Sequence, residues 1–148
     1  MKINIGFVVS EFNANVTMKM LERAKKHAKS LGVDVRYICY VPGTFDMPLM
    51  VANLLQKKDV DGVVTLGAII KGETRHDEVI AHSTARSITE LSLLYKKPVS
   101  LGISGPGMNR AQAEDRVNTV SVRAVTAAVE MIKRIRQLRT KTKNKVIR

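Results

Sequence analysis

The sequence predicts a single α/β domain over residues 1–138, in which a four-stranded parallel sheet carries helices on both faces as a three-layer sandwich. Short β-branched apolar runs without a helical period are typical of strands buried on both faces. These runs alternate with segments of helical spacing, and the order β-α-β-α-β-α-β-α indicates parallel strands joined by right-handed crossovers. The 148 residues, 45% of them hydrophobic, are enough for one buried core.

The first part of the chain contains two predicted strands and the helix between them. Residues 3–9 form the first strand. The helix begins with Asn13 or Asn15 as its N-cap and ends at Gly32. Its apolar residues keep a helical spacing: Val16, Met20, Ala24, Ala28 and Leu31. Residues 33–41 alternate between apolar and other side chains, which predicts the second strand.

The middle of the chain continues the same alternation. Pro48 suits the first turn of a second helix, which is predicted to run to about Lys58. Residues 59–62 form a turn, and residues 63–66 form a third buried strand. A long helix from His76 to Tyr95 follows.

The last part of the chain adds one strand and a long helical region. Lys97 and Pro98 close the preceding helix, and residues 99–103 form the fourth strand. From Asn109 the chain is predicted to be helical to about Leu138, with a break near Asn118. This arrangement of elements is that of flavodoxin-like folds.

Each predicted strand ends in a loop of unusual composition. The loops are Ser10–Asn15, Pro42–Pro48, Ala68–Asp77 and Ser104–Met108. In open parallel sheets, ligands bind beyond the carboxyl ends of the strands. We therefore expect the functional residues to lie in these four loops.

The third loop combines a glycine, a hydroxyl and a histidine in front of a helix. Gly72 and Thr74 resemble an anion cradle, because glycine lets backbone N–H groups approach an anion and the helix N-terminus favours negative charge. The spacing matches neither the P-loop nor the dinucleotide fingerprint. His76 is either a proton carrier or a polar residue at a helix start. Arg116 is either a surface cation or a bidentate phosphate ligand.

The first two loops carry two aromatic residues. Phe12 either covers the top of the core or stacks on a flat heterocycle, with Asn13 reading the polar edge of that ring. Asp46 is either an acid favoured by the helix dipole or an acceptor for ligand hydroxyls. In the second interpretation, the backbone groups of Thr44 and Phe45 also meet the ligand.

The charge of the chain is concentrated at its C-terminus. The net charge is +12, but eight of the 25 Lys and Arg residues lie in residues 133–148, so 17 remain beside the 13 acidic residues. We interpret residues 139–148 as a mobile basic tail. A nucleic-acid-binding module is the alternative. No aromatic residue lies among the tail cations to stack on bases, which does not favour nucleic acid as a partner.

Other features bound the location and the cofactors. Cys39 is the only cysteine, and the N-terminus has no signal-peptide pattern, so we expect a cytoplasmic protein. No apolar stretch is long enough to cross a membrane. No His, Cys and carboxylate cluster has metal-ligand spacing, so we expect no metal.

The sequence resembles the lumazine synthase family from residue 3 to about residue 135. Four segments carry the resemblance: Phe12-Asn13 with Thr17, residues 41–48, residues 67–79, and residues 112–116. The resemblance implies condensation of 5-amino-6-(ribitylamino)uracil with 3,4-dihydroxy-2-butanone 4-phosphate, with loss of phosphate and water and without a cofactor.

The resemblance also implies roles at the pyrimidine end of the site. Phe12 stacks on the pyrimidine ring, and Asp46 binds ribityl hydroxyls where family members usually have glutamate. The remaining contacts to the ring and the ribityl chain come from Asn13, Thr44, Phe45, Ala68, Ile69 and Ile70. Leu101 replaces a phenylalanine that, in many members, a neighbouring subunit lays over the ring.

The resemblance implies residue roles at the phosphate end of the site as well. His76 is implied to move protons during amine attack, phosphate loss and ring closure. The phosphate is implied to be bound by Gly72, Glu73, Thr74, Arg116 and Arg123. Glu73 adds an acid beside this anion site, and Arg123 falls near a position where many members have lysine.

Family members form homopentamers with active sites between subunits, and some pentamers assemble into icosahedral shells of sixty subunits. The short connection over residues 117–121 resembles the shell-forming type. The alternative enzyme is an archaeal-type riboflavin synthase of the same fold, which lacks a good match to residues 72–76.

Overall fold

The computed structural model describes residues 1–143 and 145–148. It confirms the predicted three-layer α/β fold. All four strands are parallel, in the order β2-β1-β3-β4. The elements are β1 (Asn4–Ser10), α1 (Ala14–Ser30), β2 (Asp34–Val41), α2 (Met47–Leu55), β3 (Gly62–Ile70), α3 (His76–Tyr95), β4 (Val99–Met108), α4 (Arg110–Asp115) and α5 (Val117–Arg139).

The sheet separates two apolar clusters. Phe7 of β1 packs in the cluster formed with α1 and α5, whereas the adjacent Val8 packs in the cluster formed with α2 and α3. Successive strand side chains point to opposite faces, so an inner strand must be apolar on both. This explains the continuous apolar runs of β1 and β3, and it explains why the edge strand β2 alternates.

Two strands extend further than the sequence predicts. We expected β3 to end at residue 66 and β4 at residue 103, with loops after them. Instead the ladder continues through the pairs Ala68 with Ser104 and Ile70 with Met108, with a register shift between Ala68 and Ile70. Glycine and proline are tolerated in this part of β4 because it is an edge strand. The predicted loops over residues 68–70 and 104–108 are therefore strand segments.

The helix boundaries also differ at two points. The second helix ends at Leu55 rather than at Lys58, and the Lys97 ammonium satisfies carbonyls at and just beyond this end by donating to Leu55 (2.9 Å) and Lys57 (2.8 Å). The predicted break in the last helical region is present and lies at Arg116, two residues before Asn118. Residues 117–121 are thus the first residues of α5 and not a connection.

The C-terminal residues follow the end of α5. Lys145 donates to the carbonyls of Gln137 (2.7 Å) and Thr140 (2.6 Å). Asn144, which belongs to the predicted tail, lies outside the described residues, and the mobility of residues 139–148 stays a prediction. In the part of the chain that the structure describes, no helix has the length and apolarity needed to cross a membrane.

We predict that Gly102→Ala destabilises the protein by about 1–3 kcal/mol or more. A Cβ at Gly102 would lie 2.1 Å from the carbonyl oxygen of Thr65, and backbone cannot move aside as a side chain can. Gly72→Ala is the control, because a Cβ there meets nothing within 4 Å. Urea unfolding at one protein concentration measures both, and equal stability of the two variants would contradict this packing account.

Candidate active site

A cavity of about 430 Å³ lies where three of the predicted loops meet. It opens at the carboxyl ends of the strands, which is where ligands bind in open parallel sheets. The residues that line it come from the β1–α1 junction, the β2–α2 turn, the end of β3 and the start of α3. They are Phe12, Asn13, Gly43, Thr44, Phe45, Ala68, Ile69, Ile70, Gly72, Thr74, His76, Asp77 and Ile80.

Asn13 joins the first and third of these segments. It occupies the N-cap position of α1 with a left-handed backbone (φ 60°), but its side chain does not cap the helix, contrary to the sequence expectation. Its Nδ2 instead donates to the carbonyl oxygen of Ala68 at 2.8 Å. Asparagine tolerates the left-handed region better than most residues. One residue therefore turns the chain into α1 and fixes it against the end of β3.

Two phenylalanines flank the cavity with much of their surface exposed. Phe12 is 72% exposed and Phe45 is 63% exposed, so neither covers the core of this chain. Thr44, between them in the cavity wall, is buried and packs on Gly67, where a Cβ would lie 3.0 Å from its Oγ1. Exposed aromatic side chains beside a concave surface are typical of ligand or partner contacts.

Asp46 is not among the residues that line the cavity. Its Oδ2 accepts a hydrogen bond from the Gly43 backbone N–H at 2.9 Å and stabilises the short 3₁₀ turn Thr44–Asp46. This is the structural interpretation that the sequence left open. The carboxylate supports the turn that carries Thr44 and Phe45, and its proposed contact with a ligand stays a prediction.

The third segment contains the predicted anion cradle. Residues 71–76 are all exposed, and α3 begins at His76, as predicted. The Thr74 hydroxyl oxygen accepts a hydrogen bond from the His76 backbone N–H at 3.3 Å. Gly72, Thr74 and His76 line the cavity, whereas Glu73 does not. A helix N-terminus, a glycine and a histidine thus face one space.

The sequence analysis assigned no role to three of the lining residues, Gly43, Asp77 and Ile80, although the first two lie in the predicted loops. Asp77 is the most unusual, because it is only 7% exposed although the six residues before it are exposed. Its Oδ2 accepts a hydrogen bond from the Gly107 backbone N–H at 3.0 Å. The sequence signal was available, since Asp77 is an acid in the first turn of a helix, next to the candidate histidine.

The predicted cations lie outside the cavity of their own chain. Arg116 stands between α4 and α5, and its Nη1 lies 3.8 Å from the Sδ of Met108, at the end of β4. Arg123 is exposed on α5, and Leu101 is 54% exposed on β4. Over residues 1–143 and 145–148, no Lys or Arg lines the cavity.

Two groups with shifted pKa values lie elsewhere, on and near the edge strand β2. Burial raises the pKa of the Cys39 thiol, while the charge of Lys57 acts in the opposite direction. The Tyr37 hydroxyl donates to the Asp59 carboxylate at 2.7 Å and lowers the pKa of that group. Neither Cys39 nor Asp59 lines the cavity, so neither belongs to the site.

The site offers binding chemistry without metal ligands. Among the described residues, no group of three or more His, Cys, Asp or Glu side chains is arranged to hold a metal ion. The cavity presents exposed aromatic faces at one side and a glycine loop, a helix start and an imidazole at the other. This combination suits a flat ring and an anion, with a histidine near the anion.

The chain is similar in sequence to one family of known proteins over most of its length. A family model described as 6,7-dimethyl-8-ribityllumazine synthase matches residues 2–136. A protein of that name from Methanocaldococcus jannaschii is 55% identical over 136 residues, which cover 92% of this chain and 96% of that protein. The proteins of the same name from Sulfolobus acidocaldarius (54% identical; 93% of this chain and 87% of that protein) and Picrophilus torridus (56% identical; 88% and 96%) agree. The chain therefore belongs to the 6,7-dimethyl-8-ribityllumazine synthase family.

Proposed function

We propose that the chain is a transferase of riboflavin biosynthesis that condenses 5-amino-6-(ribitylamino)uracil with 3,4-dihydroxy-2-butanone 4-phosphate. The products are 6,7-dimethyl-8-ribityllumazine, phosphate and water. Family membership supports this reaction. The structural observation that supports this reaction is one cavity that is lined by Phe12 and Asn13, by the Thr44–Phe45 turn and by the loop before α3.

The pyrimidine belongs at the aromatic side of the cavity. Phe12 offers an exposed face for stacking, and the nearby main chain of Thr44, Phe45 and the end of β3 offers hydrogen-bonding groups to the ring and the ribityl chain. One N–H of the Asn13 amide donates to Ala68, which leaves its second N–H and its amide oxygen for the substrate. Asp46 lies outside the cavity lining, and its second carboxylate oxygen is the group that we propose accepts hydrogen bonds from the ribityl hydroxyls.

The phosphate belongs at the loop before α3. The backbone N–H groups of Gly72, Glu73 and Thr74 and the N-terminus of α3 favour an anion there. His76 then lies beside the carbon atoms that react, where it transfers protons in amine attack, phosphate loss and ring closure. Holding two substrates together accounts for much of the rate, because orientation replaces a bimolecular encounter.

Among the described residues no Lys or Arg lines the cavity, and we propose that a second copy of the chain supplies the cation. A charged donor binds phosphate more strongly than neutral N–H groups do, and Arg116 and Arg123 lie outside the cavity of their own chain. We propose that they reach the cavity of a neighbouring subunit, as does Leu101, which is exposed on β4. Head-to-tail contacts form a ring where the rotation between subunits closes, and we propose that this ring is a homopentamer. Its assembly into a sixty-subunit shell stays a prediction.

Other functions are less well supported. The family match and the relatives at 50–56% identity do not favour the riboflavin synthase alternative. A nucleic-acid-binding role would rest on the basic C-terminal residues alone. We expect the reaction to occur in the cytoplasm.

The reaction is tested by mixing the purified protein with the two substrates and following the lumazine chromophore and inorganic phosphate. We predict equal amounts of both products. His76→Ala should lower kcat by about ten- to ten-thousand-fold, because proton transfer is lost while orientation remains. His82→Ala, an exposed histidine on the same helix, is the control and should retain the wild-type rate. No product from the wild-type protein at any substrate concentration would refute the assignment.

The phosphate role of Arg116 is tested by steady-state kinetics. Arg116→Ala should raise KM for the phosphorylated substrate by about ten- to a hundredfold, as expected for a lost charge-assisted hydrogen bond. The KM for the pyrimidine should change little. Arg110→Ala, an exposed arginine on α4, is the control. Equal changes in both KM values would remove Arg116 from the phosphate site.

A further inference from the structure

The loop Gly72–His76, which we call the anion loop, is attached to the rest of the fold at both of its ends. Its residues are exposed, and its internal support is the contact of the Thr74 hydroxyl with the His76 backbone N–H. Before the loop, the Lys71 N–H donates to the carbonyl oxygen of Met108 at 2.8 Å. After the loop, the Asp77 carboxylate accepts from the Gly107 N–H at 3.0 Å.

The two attachments lie on consecutive residues of β4. Met108 also pairs with Ile70 in the sheet, so this end of β4 is continuous with the end of β3. Gly107 has a left-handed backbone (φ 76°), which directs its N–H out of the regular strand ladder. Both ends of the anion loop are therefore attached to the end of β4, one through the Lys71 backbone and the other through the Asp77 side chain.

The burial of Asp77 indicates that its hydrogen bond with the Gly107 N–H contributes to the structure of the site. A carboxylate is rarely buried unless its charge is compensated, and Asp77 is only 7% exposed. Two groups compensate it: the positive end of the α3 dipole and the Gly107 N–H. An apolar residue would bury more easily here, but it could not hold Gly107.

We propose that Asp77 is a positioning residue: by binding Gly107 it fixes the far end of the anion loop and the first turn of α3. This inference rests on the proposed function, in which the loop binds phosphate. His76 precedes Asp77 in the same helical turn, so fixing Asp77 also fixes the direction in which the imidazole enters the cavity. Asp77 lines the cavity beside His76, but in this role it acts through the loop and His76, by holding Gly107.

The test compares Asp77→Ala with Asp77→Asn. Asparagine keeps an oxygen that accepts from Gly107 but removes the charge, whereas alanine removes the acceptor. We expect Asp77→Ala to lower kcat and to raise KM for the phosphorylated substrate, each by about tenfold or more, with KM for the pyrimidine nearly unchanged. Asp77→Asn should recover most of both losses. Glu90→Ala, an exposed acid near the other end of α3, is the control.

Two measurements make the outcome independent of lumazine formation. Titration with inorganic phosphate, followed by phosphorus NMR, should show weaker binding to Asp77→Ala than to Asp77→Asn or the wild-type protein. Hydrogen exchange at Gly107 should be slow in the wild-type protein and in Asp77→Asn but fast in Asp77→Ala. If the wild-type protein binds phosphate and forms no lumazine, the proposed function fails and the loop inference stands.

Other results would overturn the inference. Asp77→Ala with wild-type phosphate affinity and kcat would show that the contact does not control the loop. Equal losses in Asp77→Asn and Asp77→Ala would show that charge matters rather than the hydrogen bond. If Asp77→Ala does not fold by circular dichroism, Asp77→Ser, whose hydroxyl is too short to reach Gly107, is measured in its place with the same expectations.

Discussion

The close backbone contact between β3 and β4 is the constraint on which the site depends. A Cβ at Gly102 would lie 2.1 Å from the Thr65 carbonyl oxygen, and one at Gly105 would lie 2.2 Å from the Ile69 carbonyl oxygen. A side chain at either position would clash with the β3 backbone, so glycine permits the close approach with which the two strands pair as far as Ile70 and Met108. The paired ends carry the carbonyl of Met108 and the N–H of Gly107, which hold the loop before α3.

Each wall of the cavity depends on a contact between distant parts of the chain. The amide of Asn13 holds the β1–α1 junction against Ala68, and the hydroxyl group of Thr44 packs beside Gly67. The loop before α3 is held by β4. The first two contacts are made to β3 and the third to β4, which pairs with β3, so these two strands align the aromatic side of the cavity with the phosphate side.

Much of the fold and part of the site could be predicted from the sequence. Buried parallel strands need apolar side chains on both faces, so the apolar runs of β1 and β3 predict these strands from the sequence alone. The ends of β3 and β4 were not, because glycine and proline usually mark loops, and only the neighbouring strand shows that Ser104–Met108 continue the ladder. The sequence does not predict the burial of Asp77 either, because its partner Gly107 lies thirty residues further along the chain. The roles proposed for Arg116 and Leu101 depend on a neighbouring subunit, and the pattern of one sequence does not give the position of that subunit.

The central claim is that each active site combines the cavity of one chain with Arg116 of another. Mixing the His76→Ala and Arg116→Ala proteins, after dissociation and reassociation, tests it most directly at a low concentration of the phosphorylated substrate. Random assembly in a ring gives about one site in four with both residues intact, so activity should recover to about a quarter of the wild-type value. Activity equal to the average of the two separate variants would contradict the claim.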